Sequence, residues 1–293
     1  AAAGHPEPFG LKYLGVGNED AITPAFRERF KMIFDALKAK HPEIVVVGTS
    51  GPFHSGEDFD QGWALIRALG VPMNDEHYYV PPQWFWDNLS RYDSYDRAGA
   101  QVYVGEYAAH DQDKKRSTLR TALAEAAGLT GFERNGDVVR FASYAPLLAR
   151  RGHTQWHPDL IYFDATAVYP TINYHVQRLF GCNAGDTALP AALSGTAPGQ
   201  RLTCSAVRDS ESGDVIVKVV NGEDRACAVA VALAGVPAGQ RRLVATVLAG
   251  ADADLVNEDG QPPAVQPVTE ESAVGACFER VFPANSLTIL RLR

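Results

Sequence analysis

Two glutamates are conspicuous for where they fall. Gly17-Asn18-Glu19 follows the apolar run Tyr13-Leu14-Gly15-Val16, and Gly105-Glu106-Tyr107 follows Val102-Tyr103-Val104. If both runs are parallel strands, the two carboxyl groups sit at the carboxyl ends of a sheet, where βα barrels build their active sites. Two such groups facing one cleft meet the needs of glycoside hydrolysis. One protonates the departing oxygen and the other attacks the anomeric carbon. A single glutamate after a strand is usually an exposed loop residue. With two of them, each led in by Gly or Gly-Asn, the loop and catalytic readings stand level.

A third strand end carries Asp75-Glu76-His77-Tyr78-Tyr79. Strand alternation puts Asp75, His77 and Tyr79 on one face. A histidine and a tyrosine beside a carboxylate can donate hydrogen bonds that hold its ionised form and its orientation. A metal site on Asp75 and His77 is the rival, but no second histidine lies at ligand spacing. A satisfied strand-end cluster is the plain alternative. Trp156 lies in the polar loop Gly152-His153-Thr154-Gln155-Trp156-His157-Pro158. There it can stack on a sugar face or pack against protein. Trp84 and Trp86 fall in a helical stretch and read as helix–sheet packing.

The elements that must position these residues alternate in type. Strands are expected at 12–17, 44–48, 73–79, 101–105 and 138–144, with a short apolar run at 160–163. Helices are expected from Pro24, capped by Thr23, over 60–69, over 82–97, from a Ser117 cap to about 129, and over 171–180. The 24–37 helix presents Phe26, Phe30, Ile33, Phe34 and Leu37 at helical spacing. The run Ile44-Val45-Val46-Val47 is apolar on both faces, which suits a parallel sheet covered by helices. Four to five βα units result, whereas a closed barrel needs eight.

Beyond about residue 185 the helical periods stop. Short strands are expected at 201–208, 215–221, 226–233, 241–248 and 286–293, with Asn221-Gly222 as a hairpin signal. The Ala-, Gly- and Pro-rich stretch 184–200 separates the two textures. The expected domains are 1–183 and 184–293.

The 293 residues carry 27 basic and 35 acidic side chains, a net charge of −8. That argues against a nucleic-acid partner, which demands clustered Lys and Arg. The densest basic group, Lys114-Lys115-Arg116, reads as a solvated helix start. No apolar run is long enough to span a membrane. The first residues lack the charged and apolar regions of a signal peptide. The four cysteines, at 182, 204, 227 and 277, include no Cys-x-x-Cys pair, and free buried thiols are expected.

Five blocks together resemble the α-L-arabinofuranosidases of glycoside hydrolase family 51. They are Lys12 to Glu19, Asp75 to Tyr79, Tyr103 to Ala108, Ala142 to Leu147 and Pro158 to Asp164, in the family's order. The resemblance implies the second half of a (β/α)8 TIM barrel, about strands four to eight, followed by a C-terminal β-sandwich. It implies Glu19 as acid/base and Glu106 as nucleophile. Asn18 would bind the sugar hydroxyl beside the reacting carbon, with His77 and Tyr79 lining the site. The implied reaction releases terminal α-L-arabinofuranose from arabinoxylan, arabinan or their oligosaccharides with retention, needing no cofactor. The substrate implies a secreted protein. Family members are longer, and this chain begins just before the fourth strand. A partner is therefore expected in the N-terminal half of the same enzyme. The alternatives are an inactive carbohydrate-binding or structural piece, or another glycosidase of the same clan, a xylosidase or xylanase.

Overall fold

A computed structural model describes residues 4–111, 116–235 and 239–293. Lys114 and Lys115 of the basic cluster lie outside the described residues. The chain forms two compact units. One holds residues 1–79, 94–107 and 137–143, and the other holds 80–93, 108–136 and 144–293.

The first unit is organised by a five-stranded sheet in the order β1-β2-β3-β4-β5. Its strands are β1 (Tyr13–Gly15), β2 (Val45–Thr49), β3 (Met73–Val80), β4 (Gln101–Ala109) and β5 (Val139–Tyr144). The pairs β1–β2 and β2–β3 are parallel, so chain order equals spatial order. Helix α1 (Pro24–Lys40) starts as expected: Thr23 Oγ1 accepts from the Phe26 N–H, and Pro24 needs no donor. Phe30 and Phe34 enter the core, but Ile33 is about half exposed, so the apolar face is narrower than the sequence spacing implied. Helix α2 (Glu57–Leu69) places three acidic residues in its first turn and ends on Gly70 in the left-handed conformation. It lies close on the sheet. A side chain at Gly62 would sit 2.6 Å from Ser50 Cα.

In the second unit, helix α3 covers only Pro82–Asp87, not the expected 82–97. The Asn88 side chain donates back to the Trp84 carbonyl and closes the last turn. Leu89 offers its carbonyl to the Arg134 guanidinium instead of to a helix. Helix α4 (Leu119–Arg134) is capped by Thr118, one residue after the expected Ser117, in a reciprocal capping box with Thr121. It runs past 129, and nearly every side chain from Leu119 to Phe132 is buried. Such all-round burial leaves no polar face to mark its length. Helix α5 (Ile172–Cys182) takes Thr171 as its cap. A small sheet joins β6 (Leu148–Arg150), β7 (Ile161–Phe163) and β8 (Val168–Pro170).

The remaining strands are β9 (Thr187–Leu189), β10 (Leu202–Arg208), β11 (Val215–Asn221), β12 (Cys227–Ala232), β13 (Arg241–Ala249), β14 (Val268–Val274), β15 (Cys277–Phe282) and β16 (Ser286–Leu292). Six of them form one sheet, β14-β13-β16-β11-β10-β9, and β12 pairs with β15. Their core is Leu202, Val219, Leu243, Ala245, Phe282, Leu290 and Leu292. Asn221-Gly222 is not a hairpin. β11 pairs with β10 and β16, and β12 with β15. The Asn221 amide instead donates to the carbonyls of Arg225 and Pro283, steering the chain into the other sheet. Helix α4 packs on β10 and β11. Glu133 accepts from Lys218 Nζ at 2.5 Å and from the Ser205 hydroxyl at 2.6 Å, and the Lys218 side chain is fully buried. All four cysteines are free. Cys182 and Cys277 are exposed, not buried as expected, because each lies near the end of a surface element.

Candidate active site

The site is assembled by strands of the first unit. The turn after β1 is shaped by Gly17, whose φ of 97° only glycine adopts readily. Asp20 accepts the Asn18 N–H at 2.8 Å, and Asp58 accepts the Ile22 N–H at 2.8 Å. Within this tethered turn Glu19 itself holds φ 55°, a left-handed conformation uncommon for a side-chain-bearing residue. Backbone strain of this kind concentrates where a side chain must be aimed.

β3 runs from Met73 to Val80 with Asp75, His77 and Tyr79 on one face, as alternation demands. Glu76, on the other face, is fully buried and accepts from the Trp63 indole at 3.0 Å and the Tyr95 hydroxyl at 2.8 Å. That satisfied pair anchors the strand. The near face meets the two glutamates. His77 Nδ1 lies 3.0 Å from Glu19 Oε1 and 3.8 Å from Glu106 Oε2, and its Nε2 lies 3.0 Å from Asp75 Oδ2. The Tyr79 hydroxyl donates to Glu106 Oε2 at 2.5 Å.

The His77 ring is 2% exposed. Burial alone would strip its second proton, but the hydrogen bond and charge of Asp75, then Glu19 and Glu106, outweigh it and push its pKa up to about 9. Both ring nitrogens therefore donate at neutral pH. Burial, followed by the bond to Glu106, raises the Tyr79 phenol far above its ordinary value, so it stays a donor.

One ligand atom from each of Glu19, His77 and Glu106 lies within 4.8 Å of the others. A metal ion there would have to take the place of a proton on His77. The pair weighed from sequence as a rival metal site, Asp75 and His77, is joined by a hydrogen bond. What the donor set suits is carbohydrate chemistry: an oxygen of each glutamate lies within 4.8 Å of the other, close enough for two carboxyl groups to serve one anomeric carbon.

Of the residues singled out from sequence, Glu19, His77, Tyr79 and Glu106 converge. Asn18 lies on the same turn with its side chain exposed. Trp156 belongs to the second unit, on an exposed loop tied by Thr154, whose hydroxyl donates to the Trp156 carbonyl at 2.9 Å. Asp75 was seen only as a member of the strand-end cluster. Its signal was the glycine at 105, since Gly105 donates to Asp75 Oδ1 at 2.9 Å and has no room for a side chain beside it.

The chain resembles known proteins along most of its length. Residues 104–286 match the α-L-arabinofuranosidase C-terminal domain, and residues 1–97 match the α-L-arabinofuranosidase 1 domain. The chain is 47% identical over 196 residues to an extracellular exo-α-L-arabinofuranosidase of Streptomyces chartreusis, covering 67% of this chain and 23% of that one. It is 32% identical to α-L-arabinofuranosidase 2 of Arabidopsis thaliana, covering 84% of this chain and 36% of the relative. An arabinose-bound family 51 α-L-arabinofuranosidase superposes with a TM-score of 0.88 at 32% identity, over 99% of this chain and 46% of that structure. The chain belongs to the α-L-arabinofuranosidases of glycoside hydrolase family 51. It spans less than half the length of these relatives.

Proposed function

We propose that this chain supplies the catalytic carboxylates of a retaining α-L-arabinofuranosidase, in a site completed by an upstream half of the barrel. The observation that carries the reading is the convergence of Glu19 and Glu106 on His77, with ligand atoms within 4.8 Å. On this reading β1 to β5 are barrel strands four to eight. The boundary with a C-terminal β-sandwich falls near 183–184.

The Glu106 carboxylate attacks the anomeric carbon as Glu19 delivers a proton to the departing oxygen, leaving a covalent glycosyl–enzyme. Tyr79 holds the attacking oxygen in line. Esterification removes the Glu106 charge. Glu19, left as a carboxylate once its proton has gone to the departing oxygen, takes a proton from the incoming water. Water attack on the anomeric carbon releases arabinose with retained configuration and frees Glu106. Asn18 serves the hydroxyl next to the reacting carbon, and Trp156 offers a ring for a sugar face. The substrates are terminal α-L-arabinofuranosides of arabinoxylan, arabinan or their oligosaccharides, and that polymer substrate favours an extracellular setting. Among the described residues, no helix is long and apolar enough to cross a membrane.

A nitrophenyl α-L-arabinofuranoside assay on this chain, then with an upstream fragment added, tests the reading. Turnover is expected on assembly, retained configuration should show by NMR, and Glu106→Ala should abolish it. Turnover that survives Glu106→Ala, or an inverted product, refutes it. Arabinooligosaccharide binding with no turnover by the assembled halves would point instead to a binding or structural piece.

A further inference from the structure

Asp75 contacts a neighbour of each glutamate: His77, which faces Glu19, and Gly105, which precedes Glu106. Its Oδ2 faces His77 Nε2 at 3.0 Å, and its Oδ1 accepts the main-chain N–H of Gly105, the residue before Glu106, at 2.9 Å. Its own carbonyl accepts from the Ser50 N–H and hydroxyl at 3.2 and 2.9 Å, which anchors Asp75 to β2's end. Gly105 does not have a positive φ, so glycine is not demanded there by backbone conformation. It is demanded by Asp75, because a Cβ would lie 2.7 Å from Asp75 Cγ and Oδ2. The sequence therefore leaves space at 105 for this one carboxylate.

The charged groups facing the His77 ring are Asp75 on its own strand, Glu19 beyond β1 and Glu106 on β4. We propose that Asp75 is a positioning residue, an assignment that rests on the reading above. It fixes the His77 ring with both N–H groups donating, one to itself and one towards Glu19, and it pins the strand register that presents Glu106. A neutral ring at this depth has one N–H only. It would donate either to Asp75 or to Glu19, and the other carboxylate would face a lone pair. Asp75 removes that choice. Asp75, 17% exposed, is the carboxyl group that faces Nε2, the side of the ring turned away from Glu19 and Glu106.

The test is the imidazole titration of His77 by long-range proton–nitrogen NMR on the full chain without sugar. The native ring should carry two protons through neutral pH, with a midpoint near 9. Asp75→Asn should lower that midpoint by about one to three units, the usual effect of losing one close opposite charge. Gly105→Ala keeps every charge and only displaces the Asp75 carboxylate, so it should lower the midpoint too, and it decides the matter if circular dichroism shows Asp75→Asn unfolded. An unchanged midpoint in either folded variant overturns the proposal, as does a singly protonated native ring at pH 7. On the assembled enzyme, Asp75→Asn should cut kcat at least tenfold, with KM little changed. Because the titration needs no substrate, absence of turnover in every assembly would sink the hydrolase reading and leave this result standing.

Discussion

The Tyr79 hydroxyl and the Glu106 carboxylate are joined by a 2.5 Å hydrogen bond, made between neighbouring strands of one sheet. Both side chains stand on regular strand, so their spacing is set by the sheet and not by a mobile loop. Tyr79→Phe removes the donor and little else. Hydrogen bonds to a charged group contribute about 1.5 to 3 kcal/mol, so kcat/KM of the assembled enzyme should fall about 10- to 150-fold. A steady-state comparison checks this, and an unchanged rate would mean Glu106 is oriented by other groups.

Glu125 on α4 is fully buried, and its Oε1 accepts the Ala109 N–H at 2.9 Å. Burial pushes its pKa from 4.5 up to about 8. A carboxyl raised on folding stabilises the folded state at acid pH. That contribution falls as the pH climbs from about 4.5, where the unfolded chain ionises, to about 8, where the folded chain follows. The slope is about 1.4 kcal/mol per pH unit. Urea unfolding of Glu125→Gln should lack this decline and exceed the native protein in stability at pH 8. Parallel curves for the two proteins would contradict it.

The Lys218–Glu133 pair is sealed between α4 and the six-stranded sheet. Burial lowers the Lys218 pKa while Glu133 opposes the shift. Glu133→Ala strands an ammonium in the interior and should cost about 3 to 5 kcal/mol. The double change Glu133→Leu with Lys218→Met should recover most of it. If the single change costs under about 1 kcal/mol, water reaches the site.

Gly62 lies inside α2, where alanine ordinarily stabilises by about 1 kcal/mol. Here the added methyl would meet Ser50 Cα at 2.6 Å and the Thr49 carbonyl at 2.9 Å. Neither is the end of a flexible side chain, so the sign reverses. Thermal melts of Gly62→Ala should show a lower midpoint than native. A gain would show that α2 can lift from β2 at little cost.

The candidate site was legible in the sequence because its parts lie on or just after apolar strands. Glycine before each glutamate marked the turn or close approach, and period-two spacing put Asp75, His77 and Tyr79 on one face. Features that depend on distant partners were not legible. Helix α3 stops at Asp87 although Leu89 and Tyr92 continue the apolar spacing, because the Leu89 carbonyl is taken by Arg134, far along the chain. β14, unforeseen, is exposed at six of its seven positions, so no alternation marks it. Its glutamates are held by Arg242 and Arg280 from neighbouring strands, contacts no local window contains. Asn221-Gly222 has hairpin chemistry, but its amide serves carbonyls near residue 283.

The backbone at Glu19 is twisted into a region that suits glycine, at a cost of about 1 to 2 kcal/mol for any other residue. Stability alone would not keep a carboxylate at that bend. Glu19→Gly should therefore yield a catalytically dead protein that melts at a higher temperature than its parent. On the proposed reading, the fold gives up some of its own durability to aim the Glu19 carboxyl.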